Sequence, residues 1–166
     1  SNEAFGVVDG LSLIGTQAEA QISASPDQLK NCKDILQNIC TQSIFNGYVT
    51  FVIGENGLDL ALSYGLPANQ VIKTGNWLGP LLVAAAENGV KQLLLFGYHG
   101  KLVKLSGGIF HTHHHLADGR LEILTSLAVR EGISFDLIKL ISKSTSVEDA
   151  LLTLEDLNPE AVSLIW

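Results

Sequence analysis

Short strand-like runs alternate with helix-like segments in the first part of the sequence, and this alternation most constrains the fold. Tyr48–Ile53 is a continuous apolar, β-branched run, and Val90–Phe96 is the most apolar of the predicted strands. Their apolar parts, Val49–Ile53 and Leu93–Phe96, are typical of strands covered on both faces. Phe5–Gly15 and Gln70–Lys73 are predicted as further strands. Because helical segments and short loops separate the strands, the order predicts parallel strands joined by right-handed crossovers. We therefore predict an α/β, Rossmann-like three-layer domain with a mostly parallel sheet.

Helices are predicted from apolar periodicity and from the residues that begin and end helices. Ser25-Pro26-Asp27-Gln28 has the composition of a capping box, and the spacing after it predicts a helix to about Phe45. Asn76 is predicted to cap a later helix. The other predicted helices, of which the last three form a helical C-terminal tail, are Leu58–Tyr64, Trp77–Asn88, Asp118–Glu131, Phe135–Ile141 and Ser146–Leu157.

Composition restricts the classes of protein to which the chain can belong. A length of 166 residues with 46% hydrophobic residues predicts one globular domain, residues 1–166. Its apolar runs are shorter than the roughly 20 residues that span a bilayer, so no membrane association is expected. The net charge of −7 argues against general nucleic-acid binding. Cys32 and Cys40 lie too far apart on one predicted helix to form a disulfide, and reduced thiols indicate a cytoplasmic protein.

Small polar loops follow the predicted strands, at the edge where ligands of open parallel sheets bind. They are Thr16-Gln17, Gly54-Glu55-Asn56-Gly57, Thr74-Gly75-Asn76 and Gly97-Tyr98-His99-Gly100. Glycine and asparagine also occur in such turns for purely structural reasons. No strand is followed by G-x-G-x-x-G or by a P-loop, which argues against hydrolysis of nucleoside triphosphates.

Cationic residues are concentrated after the last predicted strand. Lys101 and Lys104 are three residues apart, so on a helix they lie on neighbouring faces and could bind one anion. A helix beginning near Gly100 would add its positive end to that site. A solvated basic edge is the alternative. For Asp118 and Arg120 the structural alternatives are a favourable charge near a helix start and a surface ion pair.

The histidine cluster of His111, His113, His114 and His115 has two functional interpretations. In a helix, His111 and His115 would share a face and could bind zinc, with Asp118 or Glu122 nearby. Alternatively, one histidine acts as an acid, a base or a hydrogen-bonding group near neutral pH. Both interpretations remain open from the residues alone, as does the absence of any role.

The segment Gly97–Glu122 resembles a block of the CbiD family, the cobalt-precorrin-5B C-1 methyltransferases of cobalamin biosynthesis. That block reads G-x-x-G-K-L-V-K-[LV]-x-x-G-I-F-x-T-H-[SH]-x-x-A-D-x-R-x-E. Lys73–Gly79 is similar to the family's K-x-[SG]-N-[FW]-x-G segment, and Leu13–Thr16 to its I-L-G-T turn. Where members carry P-G-N-Y-G, this chain has Ile53–Gly57, without the proline. Members also have an N-terminal portion, so the chain resembles an excised C-terminal domain of a longer CbiD protein.

The resemblance implies methyl transfer from S-adenosyl-L-methionine to ring carbon C-1 of a cobalt-containing tetrapyrrole, with no protein-bound metal. It implies that His113 is catalytic and that Asp118 orients it. The residues expected to bind the substrate, chiefly through its carboxylates, are Lys101, Lys104, Arg120, Thr112 and Asn76. Strand-end position and the family block assign the methyl donor to Gly54, Glu55, Asn56, Gly57, Gly97 and Gly100.

The expected partners are the tetrapyrrole substrate and the N-terminal domain of the full-length chain, and a homodimer is left open. Two hypotheses from other classes stand beside the methyltransferase. The first is a noncatalytic tetrapyrrole-binding or assembly module of the same fold, which the altered Gly54–Gly57 loop favours. The second is a zinc-dependent hydrolase built on the histidine cluster. No acidic residue lies between His99 and His115, which disfavours the hydrolase.

Overall fold

The computed structural model describes residues 7–8, 11–12, 25–114 and 116–165. They form two compact units. Unit 1 comprises the described residues up to Tyr98 together with Phe110–His113, and unit 2 comprises His99–Ile109 and the described residues from His114 onward. Two compact units can belong to a single domain or can be two separate domains. The prediction of one domain over residues 1–166 therefore stays a prediction.

Unit 1 is built on a parallel sheet. Its strands β3 (Tyr48–Ile53), β4 (Val71–Lys73) and β5 (Gln92–Gly97) are ordered β4-β3-β5, with both pairings parallel. The central strand β3 is buried from Val49 to Ile53, as its continuous apolar run predicts. The α/β class with parallel strands is therefore confirmed.

Three helices accompany this sheet: α1 (Pro26–Cys40), α2 (Gly54–Ser63) and α3 (Leu78–Glu87). The Ser25 hydroxyl caps α1 by accepting a hydrogen bond from the Asp27 N–H at 3.2 Å. The helix ends at Cys40, before the predicted Phe45, and the Thr41 hydroxyl donates to the Gln37 carbonyl of the last turn. Cys32 is buried, and both cysteines are free thiols, as predicted.

Two predictions about where helices of unit 1 begin are wrong. Residues 54–57 are not a loop, because Gly54 adopts a left-handed φ of 78° that leads the chain directly from β3 into the first turn of α2. Asn76 is not the cap of α3. The N-cap position is occupied by Trp77, which makes no side-chain capping bond. The Asn76 side chain is instead hydrogen-bonded elsewhere, as described below.

The N-terminal prediction of one strand from Phe5 to Gly15 falls largely outside the described residues. The described part contains β1 (Val7–Val8) and β2 (Leu11–Ser12), which pair antiparallel with Val8 opposite Leu11. A single continuous strand is therefore wrong. The sequence signal that the prediction overlooked is the Asp-Gly dipeptide between the two strands, a composition typical of hairpin turns.

Unit 2 is helical. Its helices are α4 (His99–Ser106), α5 (Arg120–Arg130), α6 (Phe135–Lys143), α7 (Val147–Leu157) and α8 (Pro159–Ile165). They pack around a buried core that includes Val103, Leu124, Ile141 and Leu154. Ser146 caps α7 by accepting from the Asp149 N–H at 3.1 Å. The predicted helical tail is confirmed, and α8 was missed. Along the described residues, no helix is long and apolar enough to cross a bilayer.

Candidate functional site

Buried polar residues lie just beyond the carboxyl end of β4. Thr74 is fully buried, and both its N–H (3.0 Å) and its hydroxyl (3.2 Å) bond to the Val52 carbonyl. Asn76 is 5% exposed. Buried polar groups must find hydrogen-bond partners inside the protein. The loop from Thr74 to Asn76 is consequently tied to the central strand and offers a fixed platform at the edge where parallel sheets bind ligands.

Residues Phe110–His113, hereafter the strap, belong to unit 1 and are held against this platform. The Thr112 hydroxyl is 3.0 Å from the Asn76 side-chain oxygen, and the Thr112 N–H donates to the Asn76 carbonyl at 3.2 Å. The Gly79 N–H donates to the Phe110 carbonyl at 3.1 Å. Thr112 is only 2% exposed. Asn76 and Thr112, both predicted to bind substrate, are thus brought together and directed at each other.

The strap positions two imidazoles. His111 meets the Trp77 ring edge-to-face, with centroids 4.8 Å apart and an interplanar angle of 84°. The His113 ring lies 6.4 Å from that of His111. The strap has no regular secondary structure, so the helical face on which the zinc interpretation relies is not formed at His111. His115 lies outside the described residues. Among the remaining positions, no group of three or more metal-ligating side chains is close enough to hold an ion.

The residues assigned to the methyl donor are divided between the two units. Gly54–Gly57 begin α2 at the carboxyl end of β3, and Gly97 ends β5 in the same unit. A Cβ at Gly57 would lie 2.8 Å from the Phe96 carbonyl oxygen, so the absence of a side chain there lets α2 approach β5. Glu55 forms an exposed ion pair with Lys73. Gly100 lies in α4 of unit 2.

Unit 2 holds a cluster of charged residues, Lys101, Lys104, Asp118 and Arg120, hereafter the charge cluster. Lys104 is only 1% exposed, and its Nζ donates to the Ala117 carbonyl at 2.7 Å. Burial lowers the Lys104 pKa, the Asp118 carboxylate opposes that shift, and the positive charges of Arg120 and Lys101 add to it. Lys101 is half-buried, and burial lowers its pKa also. The two lysines that were predicted to share one anion are therefore in different environments.

Asp118 and Arg120 form a two-pronged ion pair. Arg120 Nε donates to Asp118 Oδ1 at 2.8 Å, and Arg120 Nη2 donates to Oδ2 at 2.6 Å. The hydrogen bonds from Arg120 lower the Asp118 pKa to about 2, although partial burial opposes them. Both residues line a groove of about 310 Å³ together with Thr145, Ser146 and Val147. Asp118 therefore stays ionised near neutral pH.

The low Asp118 pKa predicts a pH-dependent contribution to stability. A carboxyl whose folded pKa is depressed stabilises the fold above its unfolded pKa and loses that effect as pH falls towards the folded value. Because the pair is partly exposed, we expect Asp118→Asn to lower the free energy of unfolding by up to about 1 kcal/mol at neutral pH. In urea titrations, this difference should shrink as the pH falls from about 4 towards 2. A difference that stays constant with pH would contradict the assignment.

Two features of this region were not predicted from the sequence. They are the buried hydrogen bonds of Thr74 and the ring contact between Trp77 and His111. Thr74 is a small polar residue in a turn, and no pattern distinguishes it from a solvent-facing threonine. Trp77 stands in the Lys73–Gly79 segment next to Asn76, and large aromatic side chains are mostly core residues, so the sequence favours a packing role for it. The partner of its ring, His111, lies 34 residues further along the sequence.

Comparison with known proteins gives consistent matches along the whole chain. Over all 166 residues it is 84% identical to a cobalt-precorrin-5B C(1)-methyltransferase of Prochlorococcus marinus (strain NATL1A), of which it covers 44%. It is 63% identical over 166 residues to the protein of that name from Prochlorococcus marinus (strain MIT 9313), covering 43% of it. It is 60% identical over 160 residues, 96% of this chain, to that of Parasynechococcus marenigrum (strain WH8102), covering 44% of it.

The chain spans less than half the length of these relatives. No solved structure matches it significantly. Residues 111–165 match the family model described as CbiD, C-terminal domain. The whole chain is therefore similar to part of a protein named cobalt-precorrin-5B C(1)-methyltransferase, and residues 111–165 are similar to the CbiD C-terminal domain.

Proposed function

We propose that this chain is part of a cytoplasmic methyltransferase that moves a methyl group from S-adenosyl-L-methionine to ring carbon C-1 of cobalt-precorrin-5B in cobalamin biosynthesis. The observation that carries the proposal is the 84% identity, over the whole chain, to a protein named for that reaction. The free thiols of Cys32 and Cys40 are consistent with a reducing compartment. The chain covers 44% of that relative, so activity is expected of the full-length protein.

We assign the methyl donor to the carboxyl end of β3. A Cβ at Gly54 would meet no atom within 4 Å, so the backbone there is open to close approach by a ligand. We assign Gly54, Glu55 and Asn56 to this contact, with Gly57 and Gly97 shaping the adjoining backbone. When bound, S-adenosyl-L-methionine would supply an electrophilic methyl group to the nucleophilic ring carbon, and S-adenosylhomocysteine would be the leaving group. The protein's main task is then alignment, which can supply about 7–11 kcal/mol of the barrier.

We assign His113 as the group that accepts a proton from elsewhere on the macrocycle or hydrogen-bonds the ring. It is half-buried on the strap, and imidazole is the side chain that changes protonation near neutral pH. Asn76 and Thr112 are assigned to positioning, because they are buried and bonded to each other within the platform. They would act on the substrate by fixing the strap on which His113 lies.

The charge cluster is assigned to the carboxylate side chains of the tetrapyrrole. Lys101 and Arg120 keep part of their surface exposed, and Arg120 already has the fork geometry that recognises carboxylates. Asp118, which remains ionised, would hold the guanidinium of Arg120 in a fixed orientation. Lys104 would support this arrangement through its hydrogen bond to the Ala117 carbonyl, in the turn that precedes Asp118.

A second candidate is a noncatalytic tetrapyrrole-binding or assembly module of the same fold. The observation that favours it is the Glu55–Lys73 ion pair, which occupies the strand end assigned to the methyl donor. Calorimetry with S-adenosylhomocysteine distinguishes the two candidates. We expect binding by the full-length protein, and by the 166-residue chain if Gly54–Gly57 form the donor site. Absence of binding in both would favour the second candidate.

The catalytic assignment is tested by His113→Ala in the full-length protein. We expect the rate of methyl transfer to fall at least tenfold, within the range of general acid–base effects. The matched control is His114→Ala, which removes the neighbouring exposed imidazole and should leave the rate within about twofold of the parent, as surface substitutions usually do. Equal rates for the parent protein and His113→Ala would remove His113 from the mechanism.

A further inference from the structure

The edge strand β5 has an unusual surface for its position. In the order β4-β3-β5 it lies at one side of the described sheet, so one row of its backbone N–H and C=O groups points away from β3. Leu93, Leu94, Leu95 and Phe96 are consecutive apolar residues, and β5 contains no charge and no proline. Natural edge strands usually carry charged residues or proline, which prevent pairing with other chains. The composition of β5 is that of an interior strand.

The apolar character of β5 extends to both faces of the sheet. Parallel pairing aligns Leu94 with Thr50 and Leu95 with Phe51, and consecutive side chains point to opposite faces. Thr50 and Phe51 in β3 are fully buried. Leu94 is 43% exposed, and Leu95 is only half-buried. Leucine side chains are therefore incompletely covered on both faces of the sheet.

A neighbouring aromatic residue continues this surface. The Tyr64 ring, at the end of α2, lies 6.1 Å from the ring of Phe96 and is 72% exposed. Phe96 shares its sheet face with Leu94, because the two residues are two apart in one strand. Leu94, Phe96 and Tyr64, hereafter the β5 edge surface, join apolar side chains to a strand edge that pairs with no other strand among the described residues. That combination is recognised by addition of an extended peptide segment.

We propose that, in the full-length protein, an apolar extended segment from outside residues 1–166 pairs with β5 and covers the β5 edge surface. The relatives supply the reason for this choice of occupant, because this chain covers only 44% of their length. More than half of each relative is thus available to pack against this unit. The proposal does not depend on the assignment of any catalytic residue.

Hydrogen exchange at the β5 backbone amides tests the proposal. In the 166-residue chain, we expect the amides that point away from β3 to exchange at least tenfold faster than they do in the full-length protein. The amides of β3, which has a strand on each side, should be protected in both proteins. Slow exchange of all β5 amides in the 166-residue chain would overturn the proposal. Protection that rises with concentration would identify a second copy as the occupant.

A pair of matched variants gives a second readout. In the full-length protein, Leu94→Lys should raise the exchange rate of the β5 amides at least tenfold. In the 166-residue chain, it should change that rate little. The control is Ile35→Lys, at a similarly exposed apolar residue (40%) on α1, a helix that packs against β4 at the opposite side of the sheet. It should leave β5 exchange unchanged in both proteins. Equal effects of Leu94→Lys in the two proteins would contradict an occupant from outside this chain.

Discussion

Replacing Lys104 by alanine is expected to lower the free energy of unfolding of the chain by about 2–4 kcal/mol. The side chain is almost fully buried, so its removal leaves a cavity in unit 2 and leaves the Ala117 carbonyl without its donor at 2.7 Å. It also removes the positive charge beside Asp118. In the full-length protein, methyl transfer should fall at least tenfold, because the turn that carries Asp118 and Arg120 loses its support.

Lys104→Met separates the causes of this effect. Methionine retains most of the buried volume and removes only the charge and the hydrogen-bond donor. We expect it to cost about 1–2 kcal/mol, less than alanine, because both variants remove the buried ammonium but methionine leaves little cavity. Lys101→Ala is the control for loss of charge at a half-buried position, and should cost less than about 1 kcal/mol. If Lys104→Ala and Lys101→Ala had equal effects in urea titrations, the supporting role of Lys104 would be refuted.

The Asn76–Thr112 pair is expected to show strong coupling in a double-mutant cycle. Thr112→Val and Asn76→Ala each break the 3.0 Å side-chain bond, and each leaves the other residue's buried polar group without that partner. We expect each variant to cost about 1–3 kcal/mol, with a coupling energy of about 1–2 kcal/mol. The rate of methyl transfer in the full-length protein should fall at least tenfold in each variant, because the strap that carries His113 is released.

An exposed threonine provides the control for this cycle. Thr41 also donates its hydroxyl proton to a carbonyl, that of Gln37 at 3.0 Å, but it does so in solvent. Thr41→Val should therefore change the free energy of unfolding by less than about 0.5 kcal/mol and leave methyl transfer unaltered. If the losses of unfolding free energy in the two single variants add up to the loss in the double variant, the bond does not hold the strap.

Local pattern was sufficient for most of the secondary structure and for the fold class. The apolar run Tyr48–Ile53 is a buried parallel strand, and the serines at 25 and 146 begin helices, because these properties depend on residues close in sequence. The errors are also local in origin. Gly54–Gly57 has the composition of a turn, yet Gly54 lets the chain enter α2 without one.

The amino-acid sequence by itself determined the order of most strands and helices, the starts of α1 and α7 and the resemblance to a family. Only the tertiary structure decided which candidate residues are buried and which are exposed. The sequence gives no reason to treat Lys101 and Lys104 differently. Lys104, however, is buried and bonded to the Ala117 carbonyl, 13 residues away. Asn76 and Thr112 meet across 36 residues. Such contacts depend on where the whole chain brings distant segments, and no local pattern carries that information.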